Sequence, residues 1–200
     1  MKIAIVFYSL YGNTAKLARA VAKGVEKAGG EAILRRVAET IPPETLSEIA
    51  KNPLYNKAQE EMADLPVATL EDLAGIDGLV LGSPCHFGNM SAQLKQYIDS
   101  TVPLWVGGKL AGKPAGVFTS SGSIHGGGET TLYSMLLPLL HHGMIIVGTS
   151  YDNPAVLEVG SPYGPVAVTG KEALEPPGEI NLAAAEFLGY RVATVAQKLG

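Results

Sequence analysis

The feature that most constrains this chain is a repeated alternation of short apolar runs with longer amphipathic segments. Lys2 to Tyr8 is a continuous run rich in β-branched residues, the pattern of a strand buried on both faces. After the loop from Ser9 to Asn13, apolar residues recur at Leu17, Val21, Val25 and Ala28, a single helical stripe closed by Gly29-Gly30. Glu31 to Val37 reads as a second strand and Asp77 to Gly82 as a third, followed by a helix from about Ser91 to Thr101. Pro114 to Thr119 is a fourth strand, and Glu129 to His142 is helical, with Pro138 placed to kink its last turn. Met144 to Val147 is a fifth strand, and a last helix carries Leu188, Val192, Val195 and Leu199. Strands alternating with helices make βαβ units, and right-handed crossovers put the helices on both faces of a parallel sheet. The expected fold is therefore α/β, a doubly wound five-stranded parallel sheet in one domain over residues 1–200. Two segments exceed that minimal pattern, at about 41–69 and 150–177; loops this long are usually functional or part of an interface.

Composition removes other classes. The net charge is −4, so no broad basic field is available to neutralise a nucleic-acid backbone. A single cysteine, Cys85, excludes an internal disulfide and any multi-thiolate metal site, and it fits a reducing cytosol. The first strand lacks the h-region and cleavage site of a signal peptide, and no run of about 18 apolar residues occurs. A soluble cytoplasmic protein is expected, with no nucleic-acid partner and no membrane span. Charged residues are only 17%, against a typical ~25%. That shortage suits a chain that buries surface against sister subunits.

In open α/β sheets, ligands bind outside the carboxyl ends of the strands, which directs attention to three loops. Ser9-Leu10-Tyr11-Gly12-Asn13-Thr14 joins the first strand to the first helix and contains no lysine. Hydroxyls and helix-terminal N–H groups suit a phosphate held without a cationic side chain, though Ser9, Asn13 and Thr14 would equally serve as plain caps. The loop matches neither the P-loop nor the dinucleotide fingerprint. Pro84-Cys85-His86-Phe87-Gly88 follows the third strand and offers backbone, an aromatic face and a tight turn to the edge of a flat ring. Cys85 beside His86 is a poor nucleophile–base pair, because activation needs neighbours in space rather than in sequence. Ser120-Ser121-Gly122-Ser123 leads through Ile124-His125 to Gly126, Gly127 and Gly128, where the backbone can pass close to a ligand. The adjacent His141-His142 pair makes a poor chelate, and no metal site is expected.

Taken together these loops, with F-G-N-M-S (87–91), L-W (104–105), E-T-T (129–131), H-H-G-M (141–144), S-P-Y-G (161–164) and E-T-I-P-P-E (39–44), resemble the WrbA family of flavodoxin-like NAD(P)H:quinone oxidoreductases. The resemblance runs nearly end to end. It implies a flavodoxin-like sheet of order 2-1-3-4-5 and FMN as cofactor, with Ser9 to Thr14 on the phosphate. Pro84, Cys85, His86, Phe87 and Gly88 would flank the isoalloxazine, and Ser120, Ser121, Gly122, Ser123 and Gly126 would complete the pocket. The family also implies a homotetramer with shared active sites, in which His142 approaches the ring from an adjoining chain and acts as its electrostatic partner. Tyr11 would contact the donor, NADH or NADPH, and Trp105 would form a wall for the quinone. Family members often carry Thr-Arg where this chain has Cys85-His86.

The reaction so implied is two-electron reduction of quinones, with hydride passing through flavin N5 in ping-pong fashion. A one-electron flavodoxin-type carrier is the alternative; such a protein would be more acidic and lack the 41–69 insertion. A DNA-associated regulator conflicts with the acidic balance.

Overall fold

Three of the apolar runs form the centre of a parallel sheet in the computed structural model, which describes residues 1–200. The elements are β1 (Lys2–Phe7), α1 (Asn13–Lys27), β2 (Glu31–Arg36), α2 (Pro43–Ile49), α3 (Pro53–Glu61), β3 (Gly78–Pro84), α4 (Ala92–Ser100), α5 (Val102–Val106), β4 (Pro114–Ser121), α6 (Gly128–His141), β5 (Ile145–Ile146), α7 (Pro154–Val159), β6 (Val166–Val168) and α8 (Glu179–Leu199). The strand order is β2-β1-β3-β4-β5 with every pair parallel, the order expected of a flavodoxin-like sheet.

Side chains alternate across the sheet, as strand geometry requires. Ile3, Ile5 and Phe7 point to one face and pack with Leu17, Val21, Leu188 and Val192 of α1 and α8. Ala4 and Val6 point to the other, where Leu94 of α4 and Leu132, Met135 and Leu139 of α6 cover them. β1, β3 and β4 are covered on both faces, which is why each reads as an unbroken apolar run. Ser91 starts α4 as expected of a cap, its Oγ accepting the Leu94 N–H at 3.3 Å. α6 continues through Pro138 to His141.

Two expectations need correction. The fifth strand is not Met144–Val147 but the two residues Ile145–Ile146, paired only with Pro114 and Ala115. The chain then leaves the sheet and returns as a sixth strand: β6 pairs with Thr119, Ser120 and Ser121 at the other end of β4. The edge beside β4 is therefore shared by two short strands, and the 150–177 segment supplies one of them. The 41–69 segment holds two helices, α2 and α3, each with proline in its first turn. No helix is long and apolar enough to cross a membrane.

Candidate functional site

The loops after β1, β3, β4 and β6 all emerge at one edge of the sheet and enclose a cleft of about 490 Å³. That volume lies within the range of small-molecule sites, roughly 300–1,000 Å³. Ser9, Leu10, Tyr11, Asn13 and Thr14 line one end, Pro84, Cys85 and His86 another side, and Ser120, Ser121 and Gly122 the floor.

The first loop is shaped by its entry into α1. Gly12 precedes the helix in the left-handed region (φ 85°), where a side chain is strained, and it makes no side-chain cap. The first turn is thus open to a ligand, apart from the Ala15 N–H, which reaches Ser9 Oγ at 3.3 Å. Thr14 Oγ1 lies 3.0 Å from Ser120 Oγ, joining the first and third loops at the buried floor. The second loop is a tight turn: His86 N–H donates to Asn89 O and Asn89 N–H to His86 O, at 2.9 and 3.0 Å. Its central residues, Phe87 (φ 54°) and Gly88 (φ 73°), are both left-handed, as in type I′ turns. The turn holds the Phe87 ring out in solvent. Cys85 Sγ donates to the carbonyls of Gly126 and Gly127 at 3.1 and 3.5 Å, so the thiol pins the third loop to the second.

A carboxylate organises the rim. Glu39, just after β2, accepts from Tyr8 Oη at 2.8 Å, Gln93 Nε2 at 3.0 Å and the N–H groups of Thr40 and Ile41 at 2.8 and 2.9 Å. Burial alone would push this carboxyl up, but the hydrogen bonds from Ile41, Tyr8, Thr40 and Gln93 outweigh it and hold it below its ordinary value. Burial first, and then Glu39, push the Tyr8 phenol far up. The Tyr8 ring meets His86 edge-on at 6.5 Å, so the network reaches the second loop. Desolvation by the surrounding protein lowers the His86 imidazole, leaving it neutral at physiological pH.

The expected site residues are not all in this cleft. Phe87, Gly88, Ser123 and Gly126 belong to its loops without lining it, and Gly12 faces Ala58 of α3 instead. Trp105 and His142 line a second depression of about 380 Å³ between α5 and α6, away from the cleft within one protomer. There His142 Nε2 lies 2.8 Å from Thr101 Oγ1, its Nδ1 is buried without a hydrogen-bond partner, and Trp105 Nε1–H donates to His141 O at 2.8 Å. Sequence reasoning missed Asn52, Thr169, Gly170, Lys171, Glu172 and Ala173, which also line the cleft. For the last five the only local signal is a polar T-G-K-E-A stretch inside the long second insertion, whereas Asn52 lies in the first.

Residues 1–153 match the family of NADPH-dependent FMN reductases. Proteins named NAD(P)H dehydrogenase (quinone) align along the whole length. The one from Archaeoglobus fulgidus is 49% identical (99% of this chain, 98% of that protein), and the one from Geobacter sulfurreducens 45% identical (100% and 99%). Among solved structures, a flavodoxin, WrbA-like protein from Agrobacterium tumefaciens superposes with TM-score 0.67 at 24% identity, covering 100% of this chain and 99% of that one. An archaeal flavodoxin gives 0.62 at 19% identity, covering 98% and 99%. The chain is a flavodoxin-fold oxidoreductase and belongs to the NADPH-dependent FMN reductase family, alongside these NAD(P)H dehydrogenases (quinone).

Proposed function

We propose that this chain, acting as one domain over residues 1–200, is an FMN-dependent enzyme that reduces quinones with NADH or NADPH. The observation that carries this reading is the uncapped start of α1 opening into a hydroxyl-lined cleft at the carboxyl edge of the sheet. The donor set suits a flavin mononucleotide: helix-terminal N–H groups and hydroxyls for a phosphate, backbone and small side chains for a flat ring. Bound there, FMN would supply the two-electron redox chemistry that links the nicotinamide donor, by hydride at its N5, to the quinone in a ping-pong order.

Residues Ser9 to Thr14 hold the phosphate. Pro84, Cys85, His86, Phe87 and Gly88 flank the ring, and Ser120 to Ser123 with Gly126 close the pocket. Tyr11 orients the nicotinamide donor. Trp105 and His142 complete the site from a sister chain in a homotetramer. The support for that assembly is that both residues sit on a face where Val102, Val106, Leu137 and Leu140 are also exposed. The lone cysteine suits a reducing compartment, which we take to be the cytoplasm.

The decisive experiment uses the purified chain. Bound flavin absorbance with rapid NADH or NADPH oxidation on adding benzoquinone is expected. Flavin binding without turnover would instead mark a one-electron carrier.

A further inference from the structure

The fourth wall of the cleft is the loop after β6, and it carries the only lysine or arginine that lines the cavity. Because β6 runs parallel to β4 beside Thr119, Ser120 and Ser121, residues 169–173 emerge at the same carboxyl edge as the first three loops. Both ends of this loop are fastened to residues of the cleft. Thr169 N–H and Oγ1–H donate to Ser121 O at 2.8 and 3.2 Å, and Asn13 Nδ2–H donates to Ala173 O at 2.8 Å. The loop thus spans from the floor beside β4 to the first turn of α1. Ala173 is held at φ 57° at the residue that presents that carbonyl; Phe87, in the loop after β3, is the only other non-glycine residue in the left-handed region. Such strain persists where surrounding contacts over-determine it, and it concentrates around ligand clamps.

Lys171 lies between the two fastenings and lines the cleft, exposed, with no carboxylate within ion-pair distance. The Ser9–Thr14 loop contains no cation of its own. We infer that Lys171 is a specificity residue for the phosphomonoester of FMN, positioned by the Asn13–Ala173 latch, an inference that rests on the flavin reading above. A lysine here contributes a point charge rather than a bidentate clamp, so it favours a dianion without fixing its orientation. Glu172 lines the same wall, and its carboxylate opposes the phosphate. The neighbouring pair therefore acts in opposite senses on one ligand.

The test titrates flavin-free protein with FMN and with riboflavin, following flavin fluorescence, with no nicotinamide present. For wild type, FMN is expected to bind more tightly than riboflavin, and its Kd to rise between about 0.05 M and about 0.5 M NaCl. Lys171→Gln should weaken FMN by about three- to tenfold, leave riboflavin unchanged and flatten the salt dependence. Glu172→Gln should tighten FMN and leave riboflavin unchanged. Asn13→Ala should speed FMN release while the folded fraction, read by circular dichroism, stays constant. Equal weakening of both flavins by Lys171→Gln, or no weakening, overturns the inference. So does unchanged flavin binding accompanied, in separate steady-state assays, by a raised KM for NADPH, which would place the lysine on the 2′-phosphate of the donor. A wild-type chain that binds neither flavin overturns the reading of the whole cleft instead.

Discussion

The two helical layers on either side of the sheet are finished to different degrees. On one side α1 and α8 cross at backbone contact. A Cβ added to Gly189 would lie 2.0 Å from Val21 O, and one added to Gly24 only 1.8 Å from Glu186 O. Nothing larger than hydrogen fits at that crossing. On the other side, α6 turns Leu132, Met135 and Leu139 into the core and leaves Tyr133, Leu137 and Leu140 as a stripe in solvent. Spacings of four and three put that stripe on one helical face, and Val102, Trp105 and Val106 of α5 extend it. One layer is closed within the chain; the other presents an apolar face of the kind that marks a protein interface. The chain's shortage of charge has its clearest expression on that second face.

The largest expected effect comes from breaking the closed layer. Gly189→Ala forces two long helices apart along a backbone contact that no rotamer can relieve, and about 4 kcal/mol or more of stability should be lost. Urea unfolding measures it, and a loss below about 1 kcal/mol would show that the crossing yields easily. A single helix of the other layer then separates its two sides. Leu132→Ala empties a fully buried position and should cost about 3 kcal/mol, whereas Leu137→Ala should stay within about 0.5 kcal/mol in the isolated protomer.

Leu137→Glu sharpens the contrast without touching the core. Sedimentation should show the variant as a monomer where the wild type assembles, with the protomer's own urea midpoint nearly unchanged. If the wild type is itself monomeric, or the variant assembles equally well, the apolar stripe has another purpose.

Much of the fold was legible because the central strands are covered on both faces, which writes burial directly into Lys2–Tyr8, Asp77–Gly82 and Pro114–Thr119. β6 was not legible. Three residues in a Gly- and Pro-rich stretch carry no periodicity, and their pairing with Ser121 spans almost fifty positions of chain, beyond any local signal. For the same reason the three expected loops come together at the cleft while its fourth wall went unseen. Lys171 looks like any surface lysine until the sheet brings its loop beside Asn13. Trp105 and His142 are a different case: the resemblance assigns Trp105 to the quinone and His142 to the flavin from an adjoining chain, and the fold sets both in another depression of the same protomer, so their expected roles require a second chain.

The smallest expected effect is a pH dependence at His142, where the open layer meets titration chemistry. Burial first, and then the neighbouring His141, lower the His142 pKa in the folded chain. The native state therefore binds fewer protons than the unfolded state once the pH drops below the ordinary imidazole value of about 6.5. Stability is fully present above that value and declines as pH falls towards the folded pKa. His86, lowered by desolvation alone, contributes a slope of the same sign, so wild type should lose stability as the pH falls below about 6.5. His142→Gln should remove only its own share, leaving a shallower decline from His86. Lys95 and Asp99 of α4 line the same depression but pair with each other at 2.6 Å, so their charges largely cancel towards the imidazole. A partner covering the α5–α6 face would dehydrate His142 further, and acid should then dissociate the assembly before it unfolds the protomer. Sedimentation of wild type across this pH range reads that directly. The same acid dissociation in His142→Gln would show that the apolar face holds together, and comes apart, without the imidazole.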